Sequence, residues 1–228
     1  MEHEISWLIK LAIGYGVPFN TVMLILLLPI VVTVITFFRQ IVGIKAFGIY
    51  TPAMITYAFL IIGMQSENLL NGAKYGTAIF IMVIMVGTLS RIFMKRFRLL
   101  YLPRMAIVIT LVAFVTLGIL MVSGSFQRTG LANVSIFPIL IMITLVEKFV
   151  STQIDKGSRT AIILSVETLV ISLITYSLIG WPALVFFIQK YPLAVLATIL
   201  INIFLGRWSG LRITEYFRFN KIIRKKQS

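Results

Sequence analysis

The chain has 228 residues, 59% of them hydrophobic and only 12% charged, with a mean hydropathy of +1.01 and a formal net charge of +14. Its apolar share is above and its charged share below those of an average soluble domain, so it is a polytopic membrane protein. A spanning helix takes about 20 apolar residues, and seven spans consume nearly the whole length, excluding a separate soluble domain. With no cysteine and a single histidine at position 3, the sequence excludes a disulfide framework, a thiolate metal site and a histidine-dependent triad; no cofactor is expected.

Residues 1–18 read as an extracytoplasmic N-terminal segment. Glu2 and Glu4 stand where a signal peptide carries cations, and the first long apolar run begins only near Phe19, so a cleaved leader is not expected. Ile5, Leu8, Ile9 and Ala12 recur at helical spacing beside Trp7 and Lys10, which suggests a short helix lying in the interface. Apolar runs then predict an all-α domain over 19–206, with seven transmembrane helices at 19–38, 46–63, 76–94, 105–123, 131–149, 160–180 and 191–206. Residues 207–228 form a basic tail.

Orientation follows from the cations, because Lys and Arg in short loops stay on the cytoplasmic side. The connection after the third span carries Arg91, Lys95, Arg96, Arg98 and Arg104 with no acid, and the tail has seven cations against Glu215 alone. With the N-terminus outside and the C-terminus inside, the cytoplasmic side also gains Arg39, Lys45, Lys148, Lys156 and Arg159, and only Lys10, Lys74, Arg128 and Lys190 remain opposite. The positive charge is first a topology signal and an attraction to anionic headgroups. It flanks spans rather than decorating a folded domain, and no nucleic-acid-binding motif accompanies it, so nucleic acid is not an expected partner.

The second predicted span opens with "GIYTPAMIT", residues 48–56, and the fifth contains "SIFPILIMIT", residues 135–144. Three spans separate Pro52 from Pro138, an odd offset that reverses direction, so the pair would relate as an inverted-topology repeat with proline-broken helices. A proline inside a helix removes a backbone hydrogen bond and frees carbonyls that lipid cannot satisfy. At Pro52 the alternatives are a simple kink in a packed helix or a helix start with Thr51 as N-cap, which would attract an anionic group.

Glu167 lies inside the sixth span in "ILSVETLVISL", where a carboxylate must be protonated, paired or wet. Arg39, Lys45, Arg91 and Arg159 stand at span ends from which they can reach inward, and Glu147 closes the fifth span. Candidate substrate or conduction residues are therefore Arg39, Lys45, Thr51, Pro52, Arg91, Arg104, Pro138, Glu147, Arg159 and Glu167. Lys95, Arg96, Arg98, Arg207, Arg212, Glu215 and Arg218 are candidates for docking a cytoplasmic partner. The phosphate-binding loop, HExxH and GxSxG patterns are missing, so the chain is not expected to be an enzyme. No lysine lies in the interior of the seventh span, which argues against a retinal protein.

Four stretches, "FFRQIVGIKAFGIYTPAMITYAF" (37–59), "RLLYLPRMAIVIT" (98–110), "IFPILIMITLVEKF" (136–149) and "GRWSGLRITEYFRF" (206–219), together resemble the seven-transmembrane family usually found fused to an inactive transglutaminase-like domain. The 228 residues hold no such second domain. More distantly, the Gly-Ile-x-x-Pro segment is similar to the small membrane subunit of poly-γ-glutamate synthases. Family-like positions are Arg39, Gln40, Gly43, Gly48, Thr51, Pro52, Pro103, Arg104, Pro138, Glu147, Gly206, Arg207, Gly210, Arg212 and Glu215.

The resemblance implies a partner of a cytoplasmic ATP-grasp ligase that joins amino acids into an anionic peptide polymer. The expected role is a non-catalytic, multi-pass subunit in a prokaryotic cell membrane that anchors the ligase or passes its product outward. Two other readings stand beside it. One is an autonomous secondary transporter with a midplane site, for which Glu167 predicts pH-dependent uptake. The other is a membrane anchor or signalling module whose basic tail binds a soluble partner. Each of the three is compatible with a homo-oligomer.

Overall fold

The computed structural model describes residues 6–65, 69–94, 100–125 and 136–208. The described residues are helical almost throughout, as hydrocarbon demands, because a helix satisfies its own backbone donors and acceptors where no water is available. The chain clusters into two compact units, Met1–Ala53 with Ser177–Ser228, and Met54–Tyr176.

The first unit begins with α1 (Trp7–Gly14) and α2 (Phe19–Phe37), which runs into a π-helical turn, Phe38–Val42. Gly43 ends that turn in the left-handed region, φ 87°, with its N–H donated to the Phe38 carbonyl at 3.0 Å; a side chain is disfavoured there. The chain then runs without helix to α3 (Tyr50–Gln65), whose first four residues belong to this unit. The unit is completed by α8 (Pro182–Lys190), a 3-10 turn (Pro192–Leu196) and α9 (Ala197–Arg207). α1, the 3-10 turn and α9 pack on α2, where Leu27, Val31 and Ile35 repeat every four residues along a buried face. The Ser6 N–H donates to the Gln189 carbonyl at 3.0 Å and ties the start of α1 to α8.

Pro29 lies inside α2, where it denies the Ile25 carbonyl its N–H. One turn on, the Thr33 hydroxyl donates to the Pro29 carbonyl at 2.7 Å, and Asn202 Nδ2 of α9 donates to Thr33 Oγ1 at 2.7 Å and to the Thr198 carbonyl at 2.8 Å. A relay of hydrogen bonds thus joins α9 to α2 where apolar packing alone gives little net drive in lipid.

The second unit holds the rest of α3 with α4 (Leu69–Met94), α5 (Tyr101–Ser125), α6 (Ile136–Lys156) and α7 (Ser158–Ile179) up to Tyr176. α4 packs against both α5 and α6, and α5 against α6. Gly87 makes the α4–α6 contact close: a Cβ there would stand 3.1 Å from Val146 Cγ1, with Phe149 and Val150 next. At the other end of α4, Gly63, Gly72 and Gly76 let α3 and α4 approach around Phe59 and Tyr176, whose rings meet edge to face at 5.9 Å.

The all-α, multi-pass reading stands, and several helix boundaries differ from those read in the sequence. Among the described residues five single helices are long and apolar enough to span, namely Phe19–Val42, Leu69–Phe93, Tyr101–Met121, Ile136–Lys156 and Ser158–Ile179, and a bent pair supplies a sixth candidate. α3 runs over Tyr50–Gln65 rather than 46–63, with 16 described residues. The seventh predicted span is not a straight helix over 191–206 but the second arm of a pair, Pro182–Lys190 and Pro192–Arg207, bent by 104°. Proline at 192 cannot continue the preceding helix, and this sets the bend. The prolines at 52 and 138 do not break helices, because each is the third residue of its own, in a first turn whose N–H groups have no helical partner. Thr51 is accordingly the second residue of α3 and not its N-cap.

Candidate functional site

In the first unit, four of the candidate residues gather along the stretch between α2 and α3. Arg39 sits half-buried in the π-helical turn, Lys45 is exposed on the non-helical connection, and Thr51 and Pro52 lie in the first turn of α3, with Pro52 buried. Gly48, φ 68°, turns the chain just before the helix. The cation and the helix start are therefore close in sequence, an arrangement suited to an anion. In the same unit a cavity of about 630 Å³ opens between Ser6, Trp7, Phe187, Lys190, Tyr191 and Leu193, with Lys190 Nζ 5.8 Å from the centre of the Tyr191 ring.

In the second unit, α7 carries a polar stripe. Ser165, Thr168, Ser172 and Thr175 recur at helical spacing, and all four are buried. Most of this polarity is satisfied locally. Ser165, Thr168 and Ser172 each donate to the carbonyl four residues back, at 2.9, 2.6 and 2.8 Å, and Thr56 of α3 donates to the Ser172 carbonyl at 3.3 Å. Two groups differ: Thr175 Oγ1 and one carboxyl oxygen of Glu167, Oε2, are buried without a hydrogen-bond partner. Glu167 thus stands half-buried on the flank of the stripe, inside the span. The inward reach expected of Arg91 toward Glu167 is corrected, since its guanidinium Nη1 donates to Ser158 Oγ at 2.7 Å.

That bond belongs to a second polar group, at the end of the unit where α4 and α6 finish and α5 and α7 begin. Arg91 is in the last turn of α4, Arg104 in the first turn of α5 with a buried Nε, and Arg159 is exposed in the first turn of α7. Gly157, φ 86°, makes the corner between α6 and α7. Glu147 and Lys148 are exposed on α6, and Asp155 Oδ2 accepts from Ser151 at 3.4 Å. Pro138 is buried in the first turn of α6, away from this end.

Arg207 is exposed at the end of α9. Lys95, Arg96, Arg98, Arg212, Glu215 and Arg218 lie outside the described residues. Sequence reasoning passed over Gln153, which has no accessible surface and whose Nε2 and Oε1 both lack a partner among the described residues. A signal was present: Gln153 continues the stripe Met142, Val146, Phe149, Val150 at helical spacing, a polar residue on an otherwise apolar face.

The helices define an all-α, multi-pass membrane protein, with polar groups held inside one unit and cations collected at its end. The chain belongs to the family described as seven transmembrane helices usually fused to an inactive transglutaminase, whose model matches residues 8–223. No curated protein and no solved structure matches the chain.

Proposed function

We propose that the protein is a non-catalytic membrane subunit that handles an anionic peptide polymer, anchoring the cytoplasmic ATP-grasp ligase that makes it or passing the product outward across a prokaryotic cell membrane. The observation that supports this reading is the gathering, among the described residues, of Arg91, Arg104, Lys156 and Arg159 at one end of the second unit with Asp155, while Glu147 and Lys148 lie about two turns back along α6. By the distribution of Lys and Arg this is the cytoplasmic end, and a cationic surface there concentrates a polyanion or an acidic partner. The test is a mild-detergent pull-down of the whole protein from its native membrane with mass spectrometry. Recovery of an ATP-grasp ligase supports the reading; a protein that purifies alone and moves a small solute in proteoliposomes sinks it.

A second reading, a secondary transporter of a small solute, is favoured by one observation, the unpartnered Glu167 oxygen on the polar flank of α7. Ionisable groups held within spans commonly mark solute or proton paths. Uptake that ignores pH and survives Glu167→Gln removes it.

A further inference from the structure

Gln153 is a fully buried amide with both polar atoms unpartnered among the described residues, each a desolvation cost of about 1–3 kcal/mol. Helix register fixes what surrounds it. Gly87 of α4 meets Val146, Phe149 and Val150 of α6; one turn further along α4 is Arg91, and one turn further along α6 is Gln153. Arg91 reaches Ser158, just past the end of α6, so α4 and α6 run the same way and Arg91 and Gln153 are level. α5 returns antiparallel to α4, with Thr116 Oγ1 3.7 Å from Met82 Sδ, and this register brings Arg104 level with the last turn of α4. Gln153 therefore lies level with Arg91 and Arg104, at the end of the unit where α7 begins.

We propose that this end of the second unit binds an acidic peptide segment, with Arg91 pairing with a side-chain carboxylate and the Gln153 carboxamide exchanging hydrogen bonds with a peptide group. The donor and acceptor count selects the class. A phosphodiester headgroup or an isolated ionised carboxylate offers acceptors only, so it satisfies Nε2 and leaves Oε1 as it was. A peptide group presents N–H and C=O together and serves both atoms. The Arg91 guanidinium and the N–H groups of the first turn of α7 then select carboxylates over a neutral peptide. Gln153 is closed over in the described arrangement, so binding requires rearrangement at this end, in which Arg91 exchanges the Ser158 hydroxyl for the stronger charge-assisted bond. The inference deepens the polymer-handling reading and rests on it for the natural ligand, though the binding can be measured without a ligase.

The full chain in neutral phosphatidylcholine nanodiscs is titrated with a fluorescent hexaglutamate peptide, with hexalysine as control. Gln153→Leu and Arg91→Gln are each expected to weaken hexaglutamate binding about tenfold or more, the loss of one to two hydrogen bonds to a charged ligand. Gln153→Leu is expected to melt at or above the wild-type temperature, since it removes a buried amide without partners; Gln153→Met preserves volume if the leucine variant does not fold. Unchanged affinity in these Gln153 variants overturns the proposal, as does wild-type protein that ignores hexaglutamate. Displacement of the peptide by inorganic phosphate, or by phosphatidylglycerol in the nanodisc, with dependence on Arg91 but none on Gln153, replaces it with a headgroup-type anion site. Gln153-dependent binding with no ligase in the pull-down leaves the site standing and removes only the functional reading above; a recovered ligase with no Gln153-dependent binding does the reverse.

Discussion

Tyr176 Oη of α7 donates a hydrogen bond of 2.6 Å to the carbonyl of Leu69, the first residue of α4. The bond is possible because Gly63 and Gly72 clear the ground around the phenol: a Cβ at Gly72 would stand 2.6 Å from the Phe59 carbonyl oxygen and 2.8 Å from Gly63 Cα. Two glycines and one tyrosine thus form a single packing unit within the Met54–Tyr176 cluster.

Gly72→Ala is expected to destabilise more than Tyr176→Phe. The alanine collides with backbone, which cannot give way like a flexible side chain, so a cost of about 1–3 kcal/mol follows from overpacking. The phenylalanine keeps the edge-to-face contact with Phe59 and loses only a hydrogen bond, about 0.5–1.5 kcal/mol. Melting temperatures of the detergent-solubilised variants order the two, and equal stability of Gly72→Ala and wild type would overturn this account of the crossing.

Asn202 and Thr33 should be energetically coupled. In a double-mutant cycle of Asn202→Leu and Thr33→Val, the Nδ2–Oγ1 bond predicts a coupling of roughly 0.6 kcal/mol, the usual value for hydrogen bonds between membrane helices. A coupling near zero would show that α9 is held on α2 by packing alone.

The chain has no cysteine, so single cysteines report topology without a background. A membrane-impermeant maleimide applied to intact cells should label Lys190→Cys and spare Arg159→Cys until the cells are opened. The reverse pattern would invert the orientation and place the Arg91, Arg104 and Arg159 end outside, against the positive-inside rule.

Glu167→Gln is expected to leave the protein folded, because the amide keeps the size of the carboxyl group and Oε2 loses no hydrogen bond. If the protein moves a solute, the same change is expected to flatten the pH dependence of uptake into proteoliposomes. Uptake whose pH profile is identical in wild type and Glu167→Gln would assign Glu167 a purely structural role.

Sequence by itself determined the class of protein and the order of its long apolar helices, because a bilayer imposes one rule: each spanning segment must be apolar and satisfy its own backbone. The runs that became α2, α4, α5, α6 and α7 were legible for that reason, and the four quoted stretches carried the family. Helix ends were less legible. Leu69–Gly76 belongs to α4 although Asn71, Gly72 and Lys74 lower its hydropathy, and α3 begins only at Tyr50 because Gly43 and Gly48 turn the chain before it. Only the tertiary structure decided which polar groups are spoken for. Ser165, Thr168 and Ser172 are polar residues inside the sixth predicted span, and each donates to a carbonyl of its own helix. Gln153, a polar residue on an otherwise apolar stripe, is sealed among its neighbours with neither polar atom matched among the described residues. Hydropathy counts how much polarity a segment contains, but whether a hydroxyl or an amide is satisfied depends on distances to atoms that sequence separation does not specify.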